Sequence, residues 1–92
     1  MMTERPPELQ FGRVPVPLYR QMADWLRERI LAGDFEPGTE PFPSEPALCE
    51  MFGVSVDTAR AAKRALRQEG LIYTVPKRGT YVRRRRGGRR YS

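Results

Sequence analysis

The sequence predicts a small α+β fold that is mostly α: three helices followed by a β-hairpin. Three observations predict it. Apolar residues recur at helical spacing after Pro17, two short helical stretches meet at Gly53, and two β-rich runs flank a basic turn at residues 76–79. A length of 92 residues allows one small domain and leaves little for a second.

The first helix is read from Leu18, Met22, Trp25, Leu26 and Ile30, which share one face of a 3.6-residue period. Pro17 fits its first turn, where a missing N–H is harmless, and Gly33 suits its C-terminal cap. A polar turn follows, with Pro37-Gly38 as its strongest signal, and Phe35 is expected to pack back onto the helix. Ser44 caps the second helix, in which Leu48 and Phe52 form a short apolar stripe ending at Gly53. Ser55 is the natural N-cap of a third helix running to about Glu69. Two short helices joined by a tight glycine turn make a helix-turn-helix. Leu71–Val75 and Thr80–Val82 are β-branched and aromatic, and Pro76-Lys77-Arg78-Gly79 forms the loop between them. The assembled fold is a winged helix-turn-helix with a two- or three-stranded β-wing over residues 17–82. Residues 1–16 read as an extended N-terminal arm with few apolar anchors, and residues 83–92 as a disordered arginine-rich tail.

The charge is unevenly placed. The chain carries 17 Lys+Arg against 11 Asp+Glu, a net of +6. Residues 1–76 hold 9 basic and 11 acidic side chains (−2), and residues 77–92 hold 8 basic and none acidic (+8), so the excess belongs to the wing and tail. A block of like charge either aids solubility as a solvated tail or serves as an arm on nucleic acid. A basic balance in so small a chain makes polyanions the first partner to consider.

The third helix carries the most chemistry. At 100° per residue, Ala59, Ala62 and Leu66 share one side, and Asp57, Arg60, Arg64 and Arg67 gather on the other. Arginine reaches phosphates or the O6/N7 edge of guanine, Asp57 accepts from cytosine N4, and Thr58 bonds phosphate or touches a thymine methyl. The blander readings stand beside these. Ser55 and Thr58 also serve as caps, Asp57 suits a helix N-terminus with no ligand, and Arg67 pairs with nearby acids. Lys63, at the edge of the apolar face, is expected to snorkel. At the hairpin, Lys77, Arg78 and Gly79 suit insertion beside a narrow minor groove, or form an ordinary polar tip. The candidate DNA-binding residues are therefore Ser44, Ser55, Asp57, Thr58, Arg60, Arg64, Lys77, Arg78 and Gly79.

Four blocks, PLYRQMADWLRERILAGDFEPG, FPSEPALCEMFGVS, DTARAAKRALRQEGLIY and RGTYV, together resemble the N-terminal DNA-binding domain of GntR-type bacterial transcription regulators. The resemblance implies a winged helix-turn-helix that is usually dimeric on a palindromic operator. It places Ser55, Asp57, Thr58 and Arg60 on recognition-helix contact positions and Arg78-Gly79 on the wing. Pro46 and Val56 stand where such proteins often carry arginine, and Lys63 where they are usually apolar. A smaller share of binding from the recognition helix, and a larger share from wing and tail, is the expectation. Proteins of this type usually continue into an effector-binding domain, and no small-molecule pocket is expected from the few residues that follow the wing here.

Composition excludes several functions. Histidine is absent, which removes imidazole bases and histidine-bound metals, and one cysteine permits neither an intramolecular disulfide nor a multi-cysteine zinc site. Cys49 reads as a packing residue, not a nucleophile. No enzyme, metal or cofactor is expected. No apolar run approaches the roughly 18 residues of a membrane span, and the N-terminus lacks a secretory signal. The expectation is a cytoplasmic, nucleoid-associated, sequence-specific DNA-binding regulator, a repressor on double-stranded DNA, with residues 55–69 in the major groove. The alternatives are a sequence-tolerant nucleic-acid binder dominated by the tail, and a winged-helix module for protein interaction.

Overall fold

The computed structural model describes residues 6–10 and 15–84. Parts of the expected arm, and the tail apart from Arg83 and Arg84, lie outside the described residues. The elements are α1 (Leu18–Leu31), α2 (Glu45–Phe52), α3 (Val56–Gln68), β1 (Ile72–Val75) and β2 (Gly79–Val82), in that order. This is the expected set, with boundaries within about one residue of those read from the sequence.

Helix α1 starts directly after Pro17, whose carbonyl accepts the N–H groups of Arg20 and Gln21 at 3.1 Å each. It ends at Ala32, after which Gly33 takes φ +87°, the left-handed conformation that glycine adopts without strain. Its buried face is Met22, Ala23, Leu26 and Ile30. Leu18 and Trp25, expected in the same stripe, sit at its rim, where Trp25 meets Phe52 of α2 edge-on at 5.7 Å.

The turn between α2 and α3 depends on Gly53, which takes φ +67° and donates its N–H to the Cys49 carbonyl at 2.7 Å. The chain is then released into extended backbone at Ser55, whose Oγ accepts the Thr58 N–H at 3.2 Å and caps α3. Helix α3 buries Ala59, Ala62, Lys63 and Leu66 against α1 and α2. Alanines at the crossing let the helices approach closely, and the fully buried side chains Met22, Leu26, Leu48, Leu66, Ile72 and Val82 fill the centre. Arg27 of α1 adds a two-pronged bond to Glu69 beyond α3, at 2.7 and 2.6 Å, which holds the Glu69 carboxyl below its usual range.

Strands β1 and β2 pair antiparallel, with Ile72 opposite Val82 and Val75 opposite Gly79. Gly79 therefore belongs to the strand, and the connecting loop is Pro76-Lys77-Arg78, one residue shorter than the sequence suggests. The tightening comes from positive φ at Lys77 (+67°) and Gly79 (+122°), with the Arg78 N–H bonded to the Val75 carbonyl at 3.0 Å. The segment before α2 braces the hairpin. Pro41 bridges to Tyr81, Gly38 donates to the Val82 carbonyl at 3.0 Å, and Phe42 donates to the Thr80 carbonyl at 2.7 Å. Phe35 and Phe42 pack in the core below this brace, their rings 5.3 Å apart. Leu9 is also buried, and Gln10 exchanges two hydrogen bonds with the side chain of Gln21, so this part of the N-terminal segment is seated on the fold.

Two predictions follow from the packing of α3. Ser55→Ala is expected to lower stability by about 1 kcal/mol in urea unfolding, and Ser55→Asn, which keeps a capping acceptor, to lose far less. Lys63 is 7% exposed, and burial pushes its ammonium below the ordinary value of 10.5, Arg67 adding to the effect and Glu45 opposing it. Lys63→Met is therefore expected to gain on the order of 1 kcal/mol at pH 7. Between the lowered folded value and 10.5 the unfolded chain binds a proton the folded chain does not, so wild-type stability climbs relative to the variant as pH rises through that window. Unfolding curves for both proteins from pH 7 to 11 check this.

Candidate nucleic-acid interface

Burying Ala59, Ala62 and Leu66 leaves Asp57, Arg60, Arg64 and Arg67 no direction but outward, and all four are exposed. Val56 projects beside them as one of the few exposed large apolar side chains. A helix with this face presents hydrogen-bond donors, one carboxylate and one apolar contact from a single rigid rod.

The structure places one group of the sequence-predicted residues at the starts of α2 and α3, which the Glu45–Arg60 pair links. Ser44 Oγ accepts the Ala47 N–H at 3.3 Å and fixes the start of α2. Ser55 Oγ caps α3 and also donates to Thr58 Oγ1 at 3.2 Å. Both serines therefore cap, as their blander readings hold, and the helix starts they fix are where ligand-facing N–H groups would stand. Arg60 reaches two carboxylates. Its Nη1 lies 3.5 Å from Asp57 Oδ1 and its Nη2 lies 3.4 Å from Glu45 Oε1. Arg64, a turn further along, borders an open groove between α3 and α1 that Tyr19, Arg20, Ala61 and Gln68 also line.

Lys77, Arg78 and Gly79 form a second group at the hairpin tip, exposed and held by bonds within the hairpin. The Tyr81 hydroxyl donates to the Arg78 carbonyl at 3.3 Å. Tyr73 and Tyr81 face each other across the strands at 6.2 Å, and the Arg83 guanidinium lies over Tyr73 at 5.2 Å. The wing is therefore a stiff basic edge backed by aromatic rings.

Glu45 and the two tyrosines were not among the sequence candidates. Alternation along the strands could have paired Tyr73 with Tyr81, but no spacing rule joins Glu45 to Arg60. Among the described residues no group of three or more acidic or cysteine side chains could hold a metal ion, and no helix is long and apolar enough to cross a membrane.

Comparison with known proteins agrees with this geometry. The family model of bacterial regulatory proteins of the gntR family matches residues 18–82. The mannosyl-D-glycerate transport/metabolism system repressor MngR of Escherichia coli (strain K12) is 44% identical over 70 residues, which are 76% of this chain and 29% of that protein. The HTH-type transcriptional repressor NagR of Bacillus subtilis (strain 168) is 41% identical over 68 residues, 74% of this chain and 28% of its own length. The chain thus spans less than a third of the length of these relatives. Among solved structures, AraR(DBD) in complex with operator ORX1 superposes with a TM-score of 0.74 at 32% identity, covering 86% of this chain and 98% of that one. The family match falls on the three helices and the wing: this chain belongs to the GntR family of bacterial regulatory proteins, and residues 18–82 are its winged helix-turn-helix domain.

Proposed function

We propose that this chain is a sequence-specific DNA-binding transcription regulator that represses by occupying its operator. Helix α3 enters the major groove and the tip of the β1–β2 hairpin lies along the minor groove. The observation that carries the reading is the outward face of α3, where Asp57, Arg60 and Arg64 stand opposite a fully buried Ala59, Ala62 and Leu66. Arg60 and Arg64 suit guanine edges or phosphate, Asp57 suits cytosine N4, and Thr58 and Val56 suit a thymine methyl. Lys77 and Arg78 supply cations where a narrow minor groove concentrates negative potential, and Gly79 keeps the turn slim. The superposition on an operator-bound DNA-binding domain supports this placement, and the relatives' being repressors by name supports the sign of regulation.

One such module covers too few base pairs for useful selectivity, so two copies on a palindrome are the expected working unit. Arginines after the wing add affinity without sequence information. The reading assigns the chain no catalytic step, cofactor or metal, and places it on DNA in the bacterial cytoplasm.

Selection of bound duplexes from a random pool is expected to yield a palindromic site. Titration of that duplex against salt is expected to give a log–log slope near −5 to −7, for roughly six to eight neutralised phosphates. A slope near zero, or a pool with no enriched motif, overturns the reading. Arg60→Ala is expected to cost about 1–3 kcal/mol on the selected duplex and to relax one position of the site. Arg78→Ala is expected to weaken selected and scrambled duplexes alike and to flatten the slope by about 1. Removing residues 83–92 is expected to leave a weaker protein that still discriminates. Total loss of binding favours a tail-dominated, sequence-tolerant binder instead.

A further inference from the structure

Arg60, the guanidinium best placed to read a base, is not a free cation in this fold. It is bounded on one side by Asp57, at 3.5 Å and 93% exposed, and on the other by Glu45, at 3.4 Å and 30% exposed. The two carboxylates differ in how firmly they are held. Asp57 is a solvated neighbour on the same helix, which α3 tolerates at its N-terminus for electrostatic reasons alone. Glu45 belongs to a different helix and its position is over-determined. Ser44 caps the turn that contains it, Pro46 fixes the backbone after it, and the N-terminal dipole of α2 favours its charge. Arg60 in turn leaves α3 between the buried Ala59 and Ala62. Both ends of the pair thus rest on rigid elements, and one geometry of the guanidinium is selected before any ligand arrives.

The local charge balance sharpens the point. Glu45 and Asp57 carry −2 against the single charge of Arg60, and the buried Lys63 presents no donor to solvent, so the group around Arg60 presents its donors without net positive charge. A cation without net field gains little from a phosphate, whose attraction is electrostatic and blind to sequence. It still gains from a base edge, where two N–H groups must meet two acceptors in register. We infer that Glu45 is a specificity-determining positioning residue, holding Arg60 aimed at a base while cancelling its pull on the phosphate backbone. Discrimination is then raised by weakening the wrong complexes more than the right one.

This inference rests on α3 being the DNA-facing helix, and the test separates the two. The full chain and its variants are titrated over a salt series against the selected duplex and a scrambled one. E45Q is expected to bind the scrambled duplex about three- to tenfold tighter, with a slope steeper by about 0.9, one freed cation's worth. Its ratio of selected to scrambled affinity is expected to fall about tenfold. E50Q, the same charge change at an exposed site on α2, is expected to shift both duplexes slightly and equally. E45D, which keeps the charge, is expected to stay near wild type, and E45Q/R60Q is expected to lose the gain on scrambled DNA. The inference is overturned if E45Q acts on both duplexes by one factor, matches E50Q, or keeps its gain without Arg60. If R60Q alone leaves affinity for the selected duplex unchanged, the reading of α3 falls, and the role of Glu45 with it. Thermal unfolding of each variant identifies any loss that comes from folding.

Discussion

The contact of α1 with α3 is the constraint on which the other features depend. Met22, Ala23, Leu26 and Ile30 meet Ala59, Ala62 and Leu66 with essentially no exposed area left on any of them. The three alanines matter as much as the larger residues, because a longer side chain at any of them would push the helices apart. Once this face of α3 is committed, the direction of every charged residue on the helix is settled. Helix α2 then closes the angle through Leu48 and Phe52, and Ile72 and Val82 bring the hairpin onto the same core. The outward face is a by-product of the packed face, which is why a mutation in α1 would shift charged side chains that α1 never touches.

Most of the fold is readable in the sequence because its signals are local. The stripe of α1, the serine caps of α2 and α3, and the β-branched runs of the hairpin each need only neighbouring residues to be interpreted. Gly33 and Gly53 act the same way, each taking a positive φ where a helix must stop. The charged face of α3 is readable for the same reason, since helical period alone sorts Ala59 from Arg60. What escaped is tertiary. Glu45 meets Arg60 because two helices cross there, and Leu9 finds the core through a route no periodicity reports. The brace of Pro41 on Tyr81 joins residues forty positions apart in sequence. Lys63 shows a different limit. Its position is plain from the helical wheel, but that the fold would cover a lysine there depends on what packs over it.

Composition also misleads in one respect. A net of +6 suggests a uniformly basic surface, yet the folded region before the wing is close to neutral, with arginines matched by carboxylates. Arg27 is held by Glu69 and Asp24, and Arg60 by Glu45 and Asp57. Arg27 and Arg60 are therefore arranged by partners, while Arg64, Arg67 and the cations around the wing tip are open to solvent. This division separates groups suited to reading from groups suited to holding, using the same residue type for both.

The brace under the hairpin has a mechanical consequence. A two-stranded ribbon on its own would flex about its root and sample many angles. Here the outer edge of β2 is held by the Gly38 and Phe42 amides, and the root is closed by the Arg83 N–H, which donates to the Leu71 carbonyl at 2.9 Å. What projects is a short cantilever, and the clamp that holds it belongs to the segment leading directly into α2. Load applied at Arg78 is thus delivered to the base of the helix pair, not absorbed in a bending wing. The outward face of α3 and the hairpin tip thus sit like the jaws of one calliper, whose span is set at folding.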